Sequence, residues 1–149
     1  MHDAGVKINW DLSNEIFDKL YLTEKFFPDS NFRAALAEIL EINEGDEITK
    51  EMIAATTSLD VSSKQIANLT GIEHFTALEI LYCGRNQLPT LDVSKNTILT
   101  KLSCVGNQLT ALDVSKNSAL TTLWCYGNQL TELDISNNTI LESLYCSSN

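Results

Sequence analysis

Apolar and polar positions alternate along this chain in two different patterns, and the change falls near residue 58. From Leu78 onward the apolar positions follow the motif LxxLxCxxNQLxxLDVSxN with small variations. The motif returns every 21 residues, as two residue types show: Cys83, Cys104, Cys125 and Cys146, and Asn86, Asn107, Asn128 and Asn149. A fixed period of this length indicates one supersecondary unit stacked on copies of itself.

The unit is a leucine-rich repeat in which cysteine occupies an inward leucine position. LxC predicts a short strand whose Leu and Cys point inward, and each coil lays its strand parallel to the previous one. A degenerate first copy begins at Leu59, with Val61 in the Cys position, Lys64 in the Asn position and 22 residues to the next copy. The sequence therefore predicts an α/β solenoid, a right-handed leucine-rich-repeat superhelix with parallel strands on its concave face and an N-terminal helical cap.

The polar positions of the repeat have structural interpretations. The asparagine after each strand is expected to turn the chain, because its amide group can satisfy backbone groups that the coil leaves unpaired. The second half of each unit echoes the first, since Leu91, Val93 and Asn96 repeat the spacing of leucine, cysteine and asparagine. We therefore expect extended chain on both sides of the coil, with strands, turns or short 3₁₀ segments on the convex side.

Helical spacing replaces the repeat before residue 58. Residues 11–26 place three apolar side chains on one helical face: Leu12, Ile16 and Leu20. A second helix is predicted in FPDSNFRAALAEIL, with Asp29 or Ser30 as its N-cap. Its apolar residues at helical spacing are Phe32, Leu36, Ile39 and Leu40.

A third, shorter helix is predicted to start at Thr49 and to carry Met52 and Ile53. The three helices would close the open apolar end of the first coil. We therefore expect a helical cap over residues 1–57, of which residues 1–10 are mobile. The solenoid is expected over residues 58–149, with one degenerate and about four regular or partial repeats.

Composition excludes several kinds of partner. Of the 149 residues, 44% are apolar, and no apolar run approaches the length of a membrane helix. The formal charge of −10 argues against nucleic acid or an anionic membrane, since both select basic surfaces. The N terminus lacks a basic segment followed by an apolar stretch, so a secreted form would carry its signal outside this sequence.

Catalytic chemistry is scarce. The histidines are His2 and His74, and the spacing assembles no catalytic triad, phosphate loop or metal-ligand cluster. We therefore expect no enzymatic activity and no cofactor. The four cysteines share one inward column and lack a CxxC arrangement, which favours packed, reduced thiols over a zinc site. Disulfides between neighbouring coils are disfavoured because parallel inward side chains offer poor torsion angles.

A calcium site in the cap is a weaker alternative. The segment from Glu41 resembles a degenerate EF-hand loop in which Asn43 and Gly45 occupy ligand positions. Asp46 stands where glycine is required, and Met52 stands where the bidentate glutamate belongs. Asn43 and Asp46 are therefore only weak metal candidates, and the simpler interpretation is a turn between two helices.

Strand residues that alternate with the buried Leu and Cys are expected to face the concave side in columns. One column contains Tyr82, Ser103, Trp124 and Tyr145, and the next contains Gly84, Val105, Tyr126 and Ser147. Clustered surface aromatics are common anchors of binding faces, although aromatics also favour strands for packing reasons alone. The candidate binding residues are Tyr82, Lys101, Ser103, Trp124, Tyr126 and Tyr145.

An acidic column follows the first leucine of each LDVS phrase: Asp60, Asp92, Asp113 and Asp134. The structural interpretation is favoured, with hydrogen bonds from the following serines or backbone amides. A cation ladder is the alternative.

The segments FPDSNFRAALAEIL and ITKEMIAATTSLDVSSKQIANLTGIEHFTALEILYCGRNQL resemble the helical cap and first repeats of internalin-like, bacterial surface leucine-rich-repeat proteins. The resemblance covers roughly residues 27–149. It implies a non-enzymatic cell-surface or secreted protein that binds a protein or glycan ligand in adhesion or host interaction. The alternatives are a structural spacer in a larger surface protein and a calcium-responsive module.

The sequence stops at Asn149, the turn position of the fourth Cys repeat. Leu141, Leu144 and Cys146 belong to a coil with no following neighbour, and burying a leucine side chain contributes about 2 kcal/mol. We therefore expect self-association through residues 141–149.

Overall fold

The computed structural model describes residues 19–149, and its first part is a small cap of mixed helix and strand. In chain order the cap contains β1 (Leu20–Tyr21), α1 (Ser30–Leu40), β2 (Glu47–Ile48) and α2 (Lys50–Ala55). β1 and β2 pair antiparallel. The expected mobile segment, residues 1–10, and the first part of the helix predicted over residues 11–26 lie outside the described residues.

The helix prediction is wrong for the described part of residues 11–26. Leu20 and Leu22 are buried while Tyr21 between them is exposed, which is the two-residue alternation of a strand. Leu20 lies opposite Ile48 in β2, and the backbone N–H of Leu22 donates to Asp46 O at 2.9 Å. Pairing with a distant segment therefore overrides the weak helical spacing.

The other two predicted helices are confirmed. Asp29 is the N-cap of α1, where its Oδ1 accepts from the backbone N–H groups of Asn31 and Phe32. Thr49 is the N-cap of α2, and its Oγ1 accepts from the Met52 N–H. Phe32 and Leu36 are buried as expected, whereas Ile39 lies on the outer face of α1 and is 39% exposed.

The cap is joined to the first coil by polar and apolar contacts. The Oδ2 of Asp29 accepts from the N–H groups of Ala67 and Asn68 at 2.8 and 3.0 Å. Beside this contact Phe27 is fully buried. A Cβ added at Gly71, whose φ is +109°, would collide with the Phe27 ring. The close approach of cap and coil therefore requires glycine at this position.

Each coil contributes one three-residue strand to a parallel sheet whose strands follow chain order. The strands are β3 (Ser58–Asp60), β4 (Ile80–Tyr82), β5 (Lys101–Ser103), β6 (Thr122–Trp124) and β7 (Ser143–Tyr145). Their central residues are in register and point inward: Leu59, Leu81, Leu102, Leu123 and Leu144. The predicted parallel-strand leucine-rich-repeat solenoid with a small helical cap is confirmed.

The side of the coil opposite the strands is built from turns. In the coil of β4, the Asn96 N–H donates to Val93 O and the Leu99 N–H donates to Asn96 O. The degenerate first coil has a 3₁₀ turn at Ile72–His74 in the corresponding region. The turns and the short 3₁₀ segment match the prediction, but no strand forms here in residues 19–149, so extended chain on both sides was too simple an expectation.

Exposure rises in the last described coil. Leu144 is 36% exposed, and Cys146 is exposed although the other three cysteines of its column are buried. The reason is that no further coil covers Leu144 and Cys146 within residues 19–149. Self-association through residues 141–149 stays a prediction. None of the helices in the described part of the chain combines the length and apolar character that crossing a membrane requires.

Candidate functional site

The outward side of β3 to β7, called the strand face here, carries the predicted binding residues. Strand register places Tyr82, Ser103, Trp124 and Tyr145 in one row across four neighbouring strands. Lys101 is exposed and belongs to the neighbouring row, between Ile80 and Thr122. The alternation of strand side chains therefore brings five of the six candidates onto one surface.

The aromatic residues differ in exposure. Tyr145 is 58% exposed and Tyr126 is 40% exposed, whereas Tyr82 and Trp124 are half-buried. The rings of Trp124 and Tyr145 meet edge to face with centroids 6.1 Å apart. The indole Nε1–H of Trp124 donates to Ser143 Oγ, with 3.4 Å between Nε1 and Oγ. Ser103 lies between Tyr82 and Trp124 in the row and is buried, so little of its side chain is accessible to a partner.

A groove of about 280 Å³ lies on this face, beside the point where the chain leaves the strands. Trp124 and Tyr126 line it together with Gly84, Ser103 and a residue that the sequence analysis missed, Arg85. The side chain of Arg85 is exposed, and its Cγ would lie 3.7 Å from a Cβ added at Gly106 in the next coil. The aliphatic part of the Arg85 side chain therefore lies against the next coil, where the chain leaves the strand.

The backbone of Arg85 is left-handed, with φ at +55°. The corresponding positions of the next two coils are Gly106 and Gly127, at φ of +63° and +68°. Glycine adopts this conformation readily, whereas a residue with a Cβ is strained in it. The corresponding residues of the first and last coils, Ser63 and Ser148, are also left-handed, each at φ of +57°. Arg85 is thus the one charged residue at this repeat position, and this was the sequence signal that could have identified it.

The strand exits are fixed by the predicted asparagine column. Asn107 donates from Nδ2 to Cys83 O and Cys104 O, and its Oδ1 accepts from the Leu88 N–H at 3.0 Å. The amide thus joins its own coil to the preceding coil. The same pattern is found at Asn86 and Asn128. The binding candidates therefore stand on a rigid, hydrogen-bonded support.

The cysteines of the repeat column are free thiols. Cys83, Cys104 and Cys125 are fully buried. Burial raises the pKa of Cys83 to about 12 and that of Cys125 to about 11. The pKa of Cys104 is also raised, by burial first and by the neighbouring thiols second. Thiols in this state are poor nucleophiles at neutral pH, so their contribution is to the core.

The acidic column forms turns. In each of the three regular coils one Oδ1 accepts from the backbone N–H two residues later: Asp92 from Ser94, Asp113 from Ser115, and Asp134 from Ser136. Hydrogen bonds from the serine side chain and then from the serine backbone lower the pKa of all three carboxyls. The structural interpretation of this column accounts for the contacts.

The weak metal candidates in the cap also form a turn. The backbone N–H and the Nδ2 of Asn43 both donate to Asp46 Oδ2, at 2.8 and 3.1 Å. Gly45, at φ +92°, donates its N–H to Leu22 O. Across residues 19–149 no group of three or more His, Cys, Asp and Glu side chains is arranged to hold a metal ion.

A parallel strand column, an inward leucine column and asparagine-closed coils together define a leucine-rich-repeat protein with an N-terminal cap. No protein-family model matches the chain. It is 45% identical over 72 residues, or 48% of its length, to Internalin J of Listeria monocytogenes serotype 4b (strain F2365). Internalin J of Listeria monocytogenes serovar 1/2a (strain ATCC BAA-679 / EGD-e) gives the same identity and span. The chain spans only 8% of the length of these relatives.

Solved structures extend the likeness to most of the chain. The functional domain of InlJ from Listeria monocytogenes, described as including a cysteine ladder, has 43% identity and a TM-score of 0.79, covering 85% of this chain and 28% of that one. The internalin InlF of Listeria monocytogenes strain 4b F2365 has 26% identity and a TM-score of 0.68, covering 79% of this chain and 36% of that one. The predicted resemblance to internalin-like leucine-rich-repeat proteins is confirmed.

Proposed function

We propose that this chain is a non-enzymatic binding module of a bacterial cell-surface or secreted protein, which holds a protein or glycan partner on its strand face in adhesion or host interaction. The observation that carries the proposal is the row across β4 to β7 that contains Tyr82, Trp124 and Tyr145, with Ser103 between the first two and Tyr126 in the groove next to Trp124. The internalin-like resemblance supports a position outside the cell.

The physical case rests on what an exposed aromatic row contributes to association. Tyr145 and Tyr126 leave large apolar surfaces in water, and both lie next to Trp124, which is half-buried. Tyrosine and tryptophan offer much contact area at little conformational entropy, and they dominate the energy of many interfaces. The row therefore supplies anchors for a partner, on a support fixed by the asparagine column.

The test compares two triple variants of the full chain. The first replaces Tyr82, Trp124 and Tyr145 by serine. The matched control removes exposed apolar side chains outside the strands, by substituting serine at Ile98, Ile135 and Ile140. We expect capture of beads coated with the chain by host epithelial cells to fall at least tenfold for the first variant and to stay unchanged for the control.

Circular dichroism and the melting temperature are recorded for both variants, so that lost binding is separated from lost folding. If both variants bind as well as the parent chain, the strand face is not the binding surface and a structural spacer is the better description. If a calcium chelator changes capture or melting and an Asp46→Asn variant does not respond, the calcium-responsive module replaces the proposal.

A further inference from the structure

We propose that the groove beside Arg85 binds a carboxylate side chain of a protein partner, an Asp or Glu next to an aromatic or apolar residue. This inference rests on the proposed function and specifies the chemistry that the strand face recognises. The guanidinium of Arg85 binds the carboxylate, and Trp124 and Tyr126 contact the neighbouring apolar group.

The first observation is that the guanidinium has no partner within the described part of the chain. The other arginine in residues 19–149, Arg33, donates to Glu44 and to the carbonyl oxygens of Phe27 and Pro28. Arg85 shows only the bond of its backbone N–H to Val105 O. Its five side-chain N–H groups are thus available, in the planar fork that matches a carboxylate.

The second observation is the charge of the surface around it. The chain carries 20 acidic and 10 basic residues, yet no outward position of β4 to β7 is Asp or Glu. Lys101 adds a second cation to this surface. The carboxylate of the first strand, Asp60, accepts from the Ser62 N–H at 3.0 Å. The strand face of the later coils is therefore basic within an acidic protein, which favours an anionic partner.

The third observation is the backbone strain at Arg85. This repeat position is left-handed in every coil, and it is occupied by Ser63, Arg85, Gly106, Gly127 and Ser148. A residue with a Cβ is strained here, and the other four coils use glycine or the small residue serine. Only Arg85 carries a long, charged side chain from this position, and that side chain lines the groove.

The size and lining of the groove also fit such a ligand. Arg85 and the ring of Trp124 line the same groove of about 280 Å³, which accommodates a carboxylate and one neighbouring side chain. Charge-assisted, bidentate pairs between guanidinium and carboxylate are among the strongest hydrogen-bonded contacts in proteins.

The experiment selects binding peptides from a displayed library of random sequences against the full chain. We expect the selected peptides to be enriched in Asp or Glu beside aromatic or apolar residues. Their affinity for an Arg85→Gln variant should fall about ten- to hundredfold, because a hydrogen-bonded charge pair is lost. An Arg85→Lys variant keeps the positive charge but lacks the planar guanidinium, so its affinity for the peptides should lie between those of the parent chain and the Arg85→Gln variant.

Two controls separate recognition from stability and from net charge. A Lys95→Gln variant removes one exposed cation from the opposite side of the coil and should bind as the parent chain does. An Arg85→Gly variant restores the residue found in the next two coils. It should lose binding while its melting temperature does not fall, and a falling melting temperature would contradict the strain argument.

The outcomes distinguish this inference from the proposed function. Peptides that depend on Trp124 but lack carboxylates and bind the Arg85→Gln variant equally well would overturn the inference and leave the strand face as a binding surface. Binding of sialylated or uronic-acid glycans in an Arg85-dependent way, with no peptide selected, would overturn the protein partner. If neither peptides nor these glycans bind through Trp124, the inference and the proposed function fail together.

Discussion

Two columns of buried asparagines run through the solenoid, and they use the same side chain differently. The strand-side asparagines, Asn86, Asn107 and Asn128, bond through both ends of the amide. The turn-side asparagines, Asn96, Asn117 and Asn138, donate twice from Nδ2, but their Oδ1 atoms have no hydrogen-bond partner among the described residues. The less satisfied column is also the more deeply buried one.

The contrast teaches that burial depth does not measure what an asparagine contributes. Asn107 satisfies the Leu88 N–H, which has no other partner within residues 19–149, so the strand exit depends on it. Asn117 donates to Val93 O and Asn96 O, and both oxygens already accept a backbone N–H. Its unpartnered Oδ1 lowers the net gain further, since a buried acceptor without a bond costs about 1–3 kcal/mol.

The largest expected effect is therefore on the strand side. An Asn107→Ala variant leaves the Leu88 N–H unpaired and opens a small cavity, so we expect the free energy of unfolding to fall by about 3 kcal/mol. Urea denaturation followed by circular dichroism measures it. A loss below about 1 kcal/mol would mean that the coil turns without its asparagine.

A kinetic comparison follows from the same contacts. The Asn107→Ala variant should expose Cys104 to a thiol reagent about thirtyfold faster than an Asn117→Ala variant does, which corresponds to a difference of about 2 kcal/mol in opening. The parent chain should label slowly at Cys83, Cys104 and Cys125 until denaturant is added. Mass spectrometry of labelled peptides gives the rates, and rapid labelling of Cys104 in the parent would contradict a closed core.

The turn-side column should tolerate change better. An Asn117→Ala variant removes two donors whose acceptors keep a backbone bond, and it removes a buried oxygen without a partner. We expect the free energy of unfolding to fall by only about 1 kcal/mol. The same urea titration checks this value. A loss equal to that of the Asn107→Ala variant would show that the two columns are equivalent after all.

The smallest effect concerns the exposed Asp113 beside the turn-side column. Hydrogen bonds from Ser115 lower the pKa of the Asp113 carboxyl in the folded state. The ionised Asp113 carboxylate therefore stabilises the folded state at pH values above the pKa that this carboxyl has in the unfolded chain. This stabilisation is lost as the pH falls through the lower pKa of the folded state. An Asp113→Asn variant still accepts from Ser115, so its unfolding midpoint should fall less than that of the parent between roughly pH 5 and pH 2. Equal falls would refute a role for Asp113 ionisation.

Much of this architecture could be predicted because it repeats. The 21-residue period determines which leucines and cysteines share a column, and the strand register follows from it. The turn-side contacts could not be predicted, since equal spacing in the two halves of a repeat does not reveal that only one half pairs as strands. The helix predicted over residues 11–26 is wrong in its described part, residues 19–26, because the partner of Leu20, Ile48, lies far along the sequence.

The candidate site was predicted in part. The aromatic row follows from strand alternation, and its role as a binding site stays a prediction. Arg85 was missed because periodicity describes what repeats, whereas this residue differs from the serines and glycines of the other coils by its long, charged side chain. The sequence also did not reveal the contact of Asp29 with the first coil. The N-cap role accounts for one carboxylate oxygen of Asp29, and nothing in the local sequence indicates a partner for the other.

The asparagine column also has a direction, since each amide reaches into the preceding coil. The first coil has Lys64 in the asparagine position, and the cap serves it instead through Asp29 and through Asn31, whose Nδ2 donates to Gln65 O. Each 21-residue coil therefore contains the asparagines that bond it to the preceding coil. Gene duplication or deletion of one whole coil would rejoin every link, and the first coil, with 22 residues to the next copy, shows that one additional residue is accommodated without loss of either column. The coil is thus the natural step in which such a protein lengthens or shortens during evolution.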